Sequence, residues 1–262
     1  MIGDSKINII KITEDIYLLD EDNEATGYLV VGRHKALLID TMNAHNDLKA
    51  VVRTITDKPV MVVNTHGHGD HIFGNMFFDE AYISPEDIPL AKMFTDQAAF
   101  EELLEKNGKT MPPFKDIRGG DVIDLGGRTT DVYDIPGHTT GSILLHLKEE
   151  RILFVGDSIN HHLWLQLDGC PPVSEYLKTL EDLLFLQDRA DIILHGHAQS
   201  PDDISLMKCL VRGLREICDG KTDNDLPYEY FGGTARMHPF ECIPGKNYSM
   251  QDHAIIYRED NV

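Results

Sequence analysis

His66-Gly67-His68-Gly69-Asp70-His71 follows the apolar run Val60-Met61-Val62-Val63, and its reading decides how the rest of the chain is understood. Four metal-competent side chains fall within six residues. Histidines and an aspartate packed this densely repel one another or stay unsatisfied unless something binds them. A divalent cation is the simplest such partner. Gly67 and Gly69 let the backbone fold tightly enough for the side chains to converge. A strand running into a loop of ligands is also the usual place for a site on a rigid scaffold.

Upstream, short apolar runs predict strands at Ile7 to Ile12, Ile16 to Leu19, Tyr28 to Val31 and Ala36 to Asp40, punctuated by Gly27 and Gly32. Asn43 to Ile55 reads as a helix with Leu48, Val51, Val52 and Ile55 on one face. Downstream, Pro85 to Lys106 reads as an amphipathic helix ended by Met111-Pro112-Pro113-Phe114. The region 85–118 is expected to be a helical insertion, either a surface element or a lid or subunit contact, and a homodimer is one outcome. Strands are expected at Val122 to Leu125, Thr129 to Ile135, Ile143 to Leu147, Ile152 to Val155 and Ile192 to Leu194. Helices are expected at Ser174 to Gln187 and Asp202 to Cys218, with Asp202 and Asp203 at the positive end of the second helix dipole. Arg236 to Ile243 and Ala254 to Tyr257 read as closing strands. Strands crowd both halves with helices between them, which favours two packed sheets covered by helices within one domain spanning 1–262.

Three more loops repeat the pattern of an apolar strand with a ligand at its end. They are Ile135-Pro136-Gly137-His138, Leu153-Phe154-Val155-Gly156-Asp157 and Ile192-Ile193-Leu194-His195-Gly196-His197. Singly, a histidine after a strand is a hydrogen-bonded loop residue and a Gly-Asp step is a turn. Four such loops are different, because strand ends at one edge of a sheet lie close together.

His66-x-His68-x-Asp70-His71, Gly137-His138, Gly156-Asp157 and Gly196-His197 resemble, in identity and order, the motifs of the metallo-β-lactamase superfamily. The resemblance implies an α/β fold, a four-layer αββα sandwich with two metals at one edge of its sheets. It implies that His66, His68 and His138 hold the first metal, that Asp70, His71 and His197 hold the second, and that Asp157 bridges them. His195 is left a supporting role or none. Three imidazoles and a bridging carboxylate leave an open position, which marks a catalytic site. A water shared by two cations there loses its proton near neutral pH and becomes the nucleophile. Asp70 binds the second metal, orients the hydroxide and passes a proton to the leaving group, so it is the catalytic residue. All donors are nitrogen or oxygen, so zinc is the default for hydrolysis, and iron or manganese also suits such a set.

The expected activity is hydrolysis of a small ester, thioester, lactone or amide. His161, His162 and Trp164 follow Asp157 closely enough to face the metals, and Tyr228, Tyr230 and Arg236 are further candidates for substrate contacts. The alternatives are an iron-dependent oxidoreductase resembling sulfur dioxygenases, a phosphodiesterase, and a non-catalytic metal-bound interaction protein. The formal charge of −20 repels polyanions and weighs against nucleic acid and anionic membrane surfaces. Cys170, Cys209, Cys218 and Cys242 form no C-x-x-C pair and read as reduced thiols. The opening Met1-Ile2-Gly3-Asp4-Ser5-Lys6 lacks the pattern of a secretory signal, so a cytoplasmic location is expected.

Overall fold

Period-two alternation along the strands builds the molecule in layers. The structure is a computed structural model and describes residues 6–231, 233–242 and 253–262. One sheet takes its strands in chain order: β1 (Ile7–Lys11), β2 (Ile16–Glu21), β3 (Thr26–Val31), β4 (Ala36–Ile39), β5 (Val60–Val63), β6 (Ala81–Ile83) and β7 (Phe114–Asp116). The second sheet holds β8 (Val122–Asp124), β9 (Thr129–Asp134), β10 (Ile143–Leu147) and β11 (Ile152–Gly156). After β12 (His162–Leu165), the chain returns to this sheet as β13 (Ile192–His195) and β14 (Asp202–Asp203). A smaller sheet pairs β12 with the closing strands β15 (Leu226–Tyr230), β16 (Gly233–Pro239) and β17 (Ala254–Tyr257).

Successive side chains on a strand point to opposite faces, so strands buried on both faces feed two cores. Leu37 and Ile39 of β4 pack with Leu145 of β10 and Phe154 of β11 between the two large sheets. Their neighbours Ala36 and Leu38 face the other way, against Leu48 and Val52 of α1 (Leu48–Ile55). On the far side, Leu144 and Leu153 meet two helices, α5 and α6, whose bounds follow below. The result is the expected αββα sandwich. Each fully buried leucine in these layers contributes roughly 1.5–3 kcal/mol.

The remaining helices are α2 (Gly69–Ile72), α3 (Ile88–Thr95), α4 (Ala98–Asn107), α5 (Val173–Leu183) and α6 (Leu206–Cys218). Val173, Tyr176, Leu180 and Leu183 give α5 one buried stripe, and Leu206, Leu210, Leu214 and Ile217 do the same for α6. Among the described residues, no helix is long and apolar enough to cross a membrane.

Several boundaries differ from the sequence reading. The first helix starts at Leu48, not Asn43, because Met42 and Ala44 take left-handed φ of 59° and 61° and Asp47 caps the helix by accepting from Ala50 N. The region from Pro85 is a 3-10 turn followed by α3 and α4, broken where Gln97 goes extended. Phe114 does not end a helix but opens β7, which pairs with β6. Asp202 and Asp203 do not start a helix. They form β14 against β13, and α6 begins at Leu206. The strand expected from Arg236 begins at Gly233 and ends at Pro239, and its expected end at Ile243 lies outside the described residues.

Candidate metal centre

β9, β11 and β13 run in one direction, since β9 and β11 are both antiparallel to β10 and β13 is parallel to β11. Their C-terminal ends therefore share an edge, and His138, Asp157 and His197 lie just beyond it. β5 delivers His66, His68, Asp70 and His71 from the other large sheet. Gly156 permits the approach: its φ is +50°, and a Cβ there would sit 2.3 Å from Thr65 Oγ1, beside His66.

The structure brings all seven side chains together. One donor atom each from His66, His68 and His138 lies within 4.8 Å of the others, and the same holds for Asp70, His71 and His197 and for His66, His71 and Asp157. His68 Nδ1 is 3.1 Å from His66 Nε2 and 3.0 Å from His138 Nε2. Asp157 Oδ2 stands between the two groups, 3.1 Å from His197 Nε2 and 3.7 Å from His138 Nε2. Asp70 Oδ2 is 3.6 Å from His71 Nε2 and 3.7 Å from His197 Nε2.

The supporting bonds decide which nitrogens are free to bind. His138 Nδ1 donates to Trp164 O at 2.7 Å, which leaves Nε2 as a lone pair toward the centre. His71 Nδ1 lies 3.0 Å from Asp40 Oδ2, and Asp40 also accepts from Thr65 N and Thr65 Oγ1. The His71 proton therefore sits on Nδ1, and Nε2 presents a lone pair. That Nε2 and Asp157 Oδ1 are both buried without a hydrogen-bond partner, and they face each other at 3.5 Å. Two buried acceptors in contact are costly unless a proton or a metal cation lies between them. The donor set thus fits metal ions.

Electrostatics agree. Burial pushes His66 and His68 well below the usual histidine value, helped by His71 at His66 and by His138 at His68, so both rings stay neutral ligands. Burial opposes charge on Asp157, yet His197 and His71 hold its carboxyl well below the usual aspartate value. Burial also opposes a proton on His71, but Asp157, Asp70 and Asp40 surround it with enough negative potential to raise it well above the usual value. The potential that would hold a proton there also favours a cation.

Residues 22–197 match the profile described as the Metallo-beta-lactamase superfamily, which is more than half of the chain. The chain belongs to the metallo-beta-lactamase superfamily. It is a hydrolase of that superfamily, whose fold binds metal ions. Acyl-coenzyme A thioesterase MBLAC2 of Gallus gallus is 28% identical over 72% of this chain and 77% of that one. A hydroxyacylglutathione hydrolase of Hyphomonas neptunium is 31% identical over 52% of this chain and 48% of that one. The DIM-1 metallo-beta-lactamase shares the fold, with a TM-score of 0.60 at 20% identity over 81% of this chain and 98% of that one.

A cavity of about 1090 Å³ opens on the cluster, and His161, His162 and Trp164 line it. Tyr228 is not on that wall. It lies behind, with its hydroxyl 3.2 Å from His162 Nε2 and its ring against Trp164. Tyr230 donates to Gln166 O, and Arg236 faces Glu259. Sequence reasoning missed Asn160, His253, Phe94, Leu167 and Phe231 on the wall. It also missed Asp40 as the partner of His71, although an aspartate at the end of a predicted strand was the very signal used elsewhere.

His161, His195 and Asp202 form a further cluster beside the cavity. Its hydrogen bonds argue against a cation. His197 N donates to His195 Nδ1 at 3.2 Å, so the His195 proton sits on Nε2, which lies 3.3 Å from Asp202 Oδ2. His161 Nε2 lies 2.9 Å from Asp202 Oδ1. A ring whose Nε2 carries the proton offers no lone pair there. The cluster instead holds the loop that carries His197.

Proposed function

We infer that this protein is a dinuclear metal-dependent hydrolase of thioesters. The observation that carries the reading is the pair of orphaned acceptors, His71 Nε2 and Asp157 Oδ1, at the junction of two three-residue donor groups beside a large cavity. In this reading His66, His68 and His138 hold one cation, Asp70, His71 and His197 hold the other, and Asp157 serves both. Zinc is the cation best suited to hydrolysis with such donors, and iron and manganese are alternatives. The thioester substrate is supported by the two thioester-cleaving relatives, an acyl-coenzyme A thioesterase and a hydroxyacylglutathione hydrolase.

Divalent cations in this position supply the charge that acidifies a water and polarises a carbonyl. The chain supplies the rest. Water adds to the carbonyl carbon, the C–S bond breaks, and a carboxylate and a thiol leave. Asp70 faces the cavity, takes one proton of the attacking water and returns it to the departing sulfur, and the second proton of that water leaves to solvent as the product ionises to the carboxylate. His138 is held in place by Trp164 O and His71 by Asp40, so neither ring needs to reorient during the reaction.

The test is a panel of ester, thioester, lactone, β-lactam and phosphodiester substrates with zinc-, iron- and manganese-loaded protein, alongside elemental analysis. Thioester cleavage with two cations per chain is expected. Absence of thioester cleavage under every loading overturns the substrate reading, and a single retained cation overturns the dinuclear one. Removing the cations with a chelator is expected to lower Tm by about 5–10 °C, because it leaves converging carboxylates and lone pairs unpaired. An unchanged melting curve after complete metal removal contradicts the proposed centre.

A further inference from the structure

Phe231 occupies the turn between β15 and β16 and is 89% exposed. Turn tips favour glycine, asparagine, aspartate and serine, so a phenylalanine at this tip stands out. Its ring lies 5.8 Å from that of Trp164, edge to face. Trp164 is in turn fixed to the candidate centre, since its carbonyl accepts from His138 Nδ1. The Phe94 ring of α3 also lines the cavity and meets His68 edge-on at 5.6 Å. Leu167 adds to the apolar lining. An apolar wall thus runs from the candidate ligands to the protein surface.

The wall is continuous with the point where a scissile carbonyl must sit, so one arm of the substrate lies along it. Phe94, Leu167 and Phe231 offer no hydrogen bond, and Trp164 offers only an indole N–H. The thiol carriers of water-soluble thioesters are charged or rich in amides. Such an arm would lose its hydrogen bonds to water here without replacement, which is unfavourable. An alkyl arm loses none and gains burial. Asn160, His161 and His162 also line the cavity and give it polar surface for the other arm.

We propose that Phe94, Trp164, Leu167 and Phe231 bind the acyl chain of the substrate, making this a thioesterase selective for straight apolar acyl groups. The proposal rests on the hydrolase reading above, but it can be tested without turnover. Trp164 is the single tryptophan of the chain, so its emission reports the wall directly. Metal-loaded protein is titrated with straight-chain carboxylates from butanoate to decanoate, which are the products of the proposed reaction. Emission should move to shorter wavelength, and Kd should fall by roughly threefold per added methylene. KM for the matching acyl thioesters of one common thiol should follow the same trend. In Phe231→Ser, the ratio of decanoate to butanoate affinity should shrink about tenfold. The exposure of Phe231 makes loss of folding an unsuitable explanation, and circular dichroism checks it.

Affinity independent of chain length overturns the proposal, as does an unchanged ratio in the variant. So does a KM that responds to Phe231→Ser only when the thiol arm is varied. Graded carboxylate binding in a protein that cleaves no thioester retracts the thioester reading and leaves the acyl wall standing. A thioesterase with a flat chain-length profile does the reverse.

Discussion

Asp70→Ala is expected to lower kcat for thioesters by roughly a thousandfold while the protein stays folded. Asp70 sits in the first turn of α2 with its side chain 37% exposed, and it faces the cavity. Its loss removes little packing, so the change in stability should stay within about 1 kcal/mol. In the proposed mechanism two separate functions would disappear with the carboxylate. One is a donor to a cation held with His71 and His197, and the other is the group that would carry the proton between water and sulfur. Asp70→Asn separates them. The amide oxygen still offers a neutral donor, so cation content should recover in part, but an amide cannot take up the proton and kcat should remain low. The measurements are elemental analysis, circular dichroism and steady-state kinetics on both variants. Turnover like the parent's in Asp70→Ala, with full cation content, contradicts the assigned role.

Asp87→Ala is expected to destabilise the protein by about 3–5 kcal/mol and to weaken cation affinity by roughly 10–100-fold. Asp87 is fully buried at the start of α3. One oxygen accepts from Gly141 N at 2.7 Å, and the other accepts from Gly67 N at 2.8 Å and Thr139 Oγ1 at 2.7 Å. Gly67 lies between two candidate ligands, and Thr139 follows a third. A single carboxylate therefore braces the two loops that supply His66, His68 and His138. Burial pushes its carboxyl above the usual aspartate value, against the pull of Thr139, Gly67 and Gly141. Alanine leaves the buried Gly67 and Gly141 amides unpaired, while the Thr139 hydroxyl keeps Ser142 Oγ as a partner. Asparagine is neutral, but it must aim an N–H at one of the two backbone amides, so it should lie between alanine and the parent. Urea unfolding gives the stability, and competition with a chromophoric chelator gives the affinity. A loss below 1 kcal/mol with unchanged affinity would show that the loops hold their own geometry.

The metal loops were legible in the sequence because each is a local pattern: an apolar run, a glycine and a ligand. The layers were legible for the same reason, since the unbroken apolar run Ala36 to Ile39 and the 3-4 spacing of α5 and α6 are short-range signals. Asp87 was not, because its partners Gly67, Thr139 and Gly141 are distant in the chain and nothing local marks a buried carboxylate. β6 and β7 are three residues each, too short to show a period. Asp202 suited a helix terminus by composition, yet it belongs to a two-residue edge strand paired with β13, and its side chain meets His161 and His195. Phe231 falls in none of the elements expected from the sequence. Its meaning depends on exposure and on the ring of Trp164 beside it.

His66, His68, Asp70 and His71 hang from one large sheet, whereas His138, Asp157 and His197 hang from the other. Neither half can assemble a complete coordination sphere alone. Ion capture must therefore wait until the halves have docked, late in the folding reaction. Added zinc should slow unfolding, where the halves must part, and leave the refolding rate nearly untouched in stopped-flow kinetics. In the proposed centre the cation would act as a clasp across the seam of the molecule, lengthening the lifetime of the native state for as long as it stays shut.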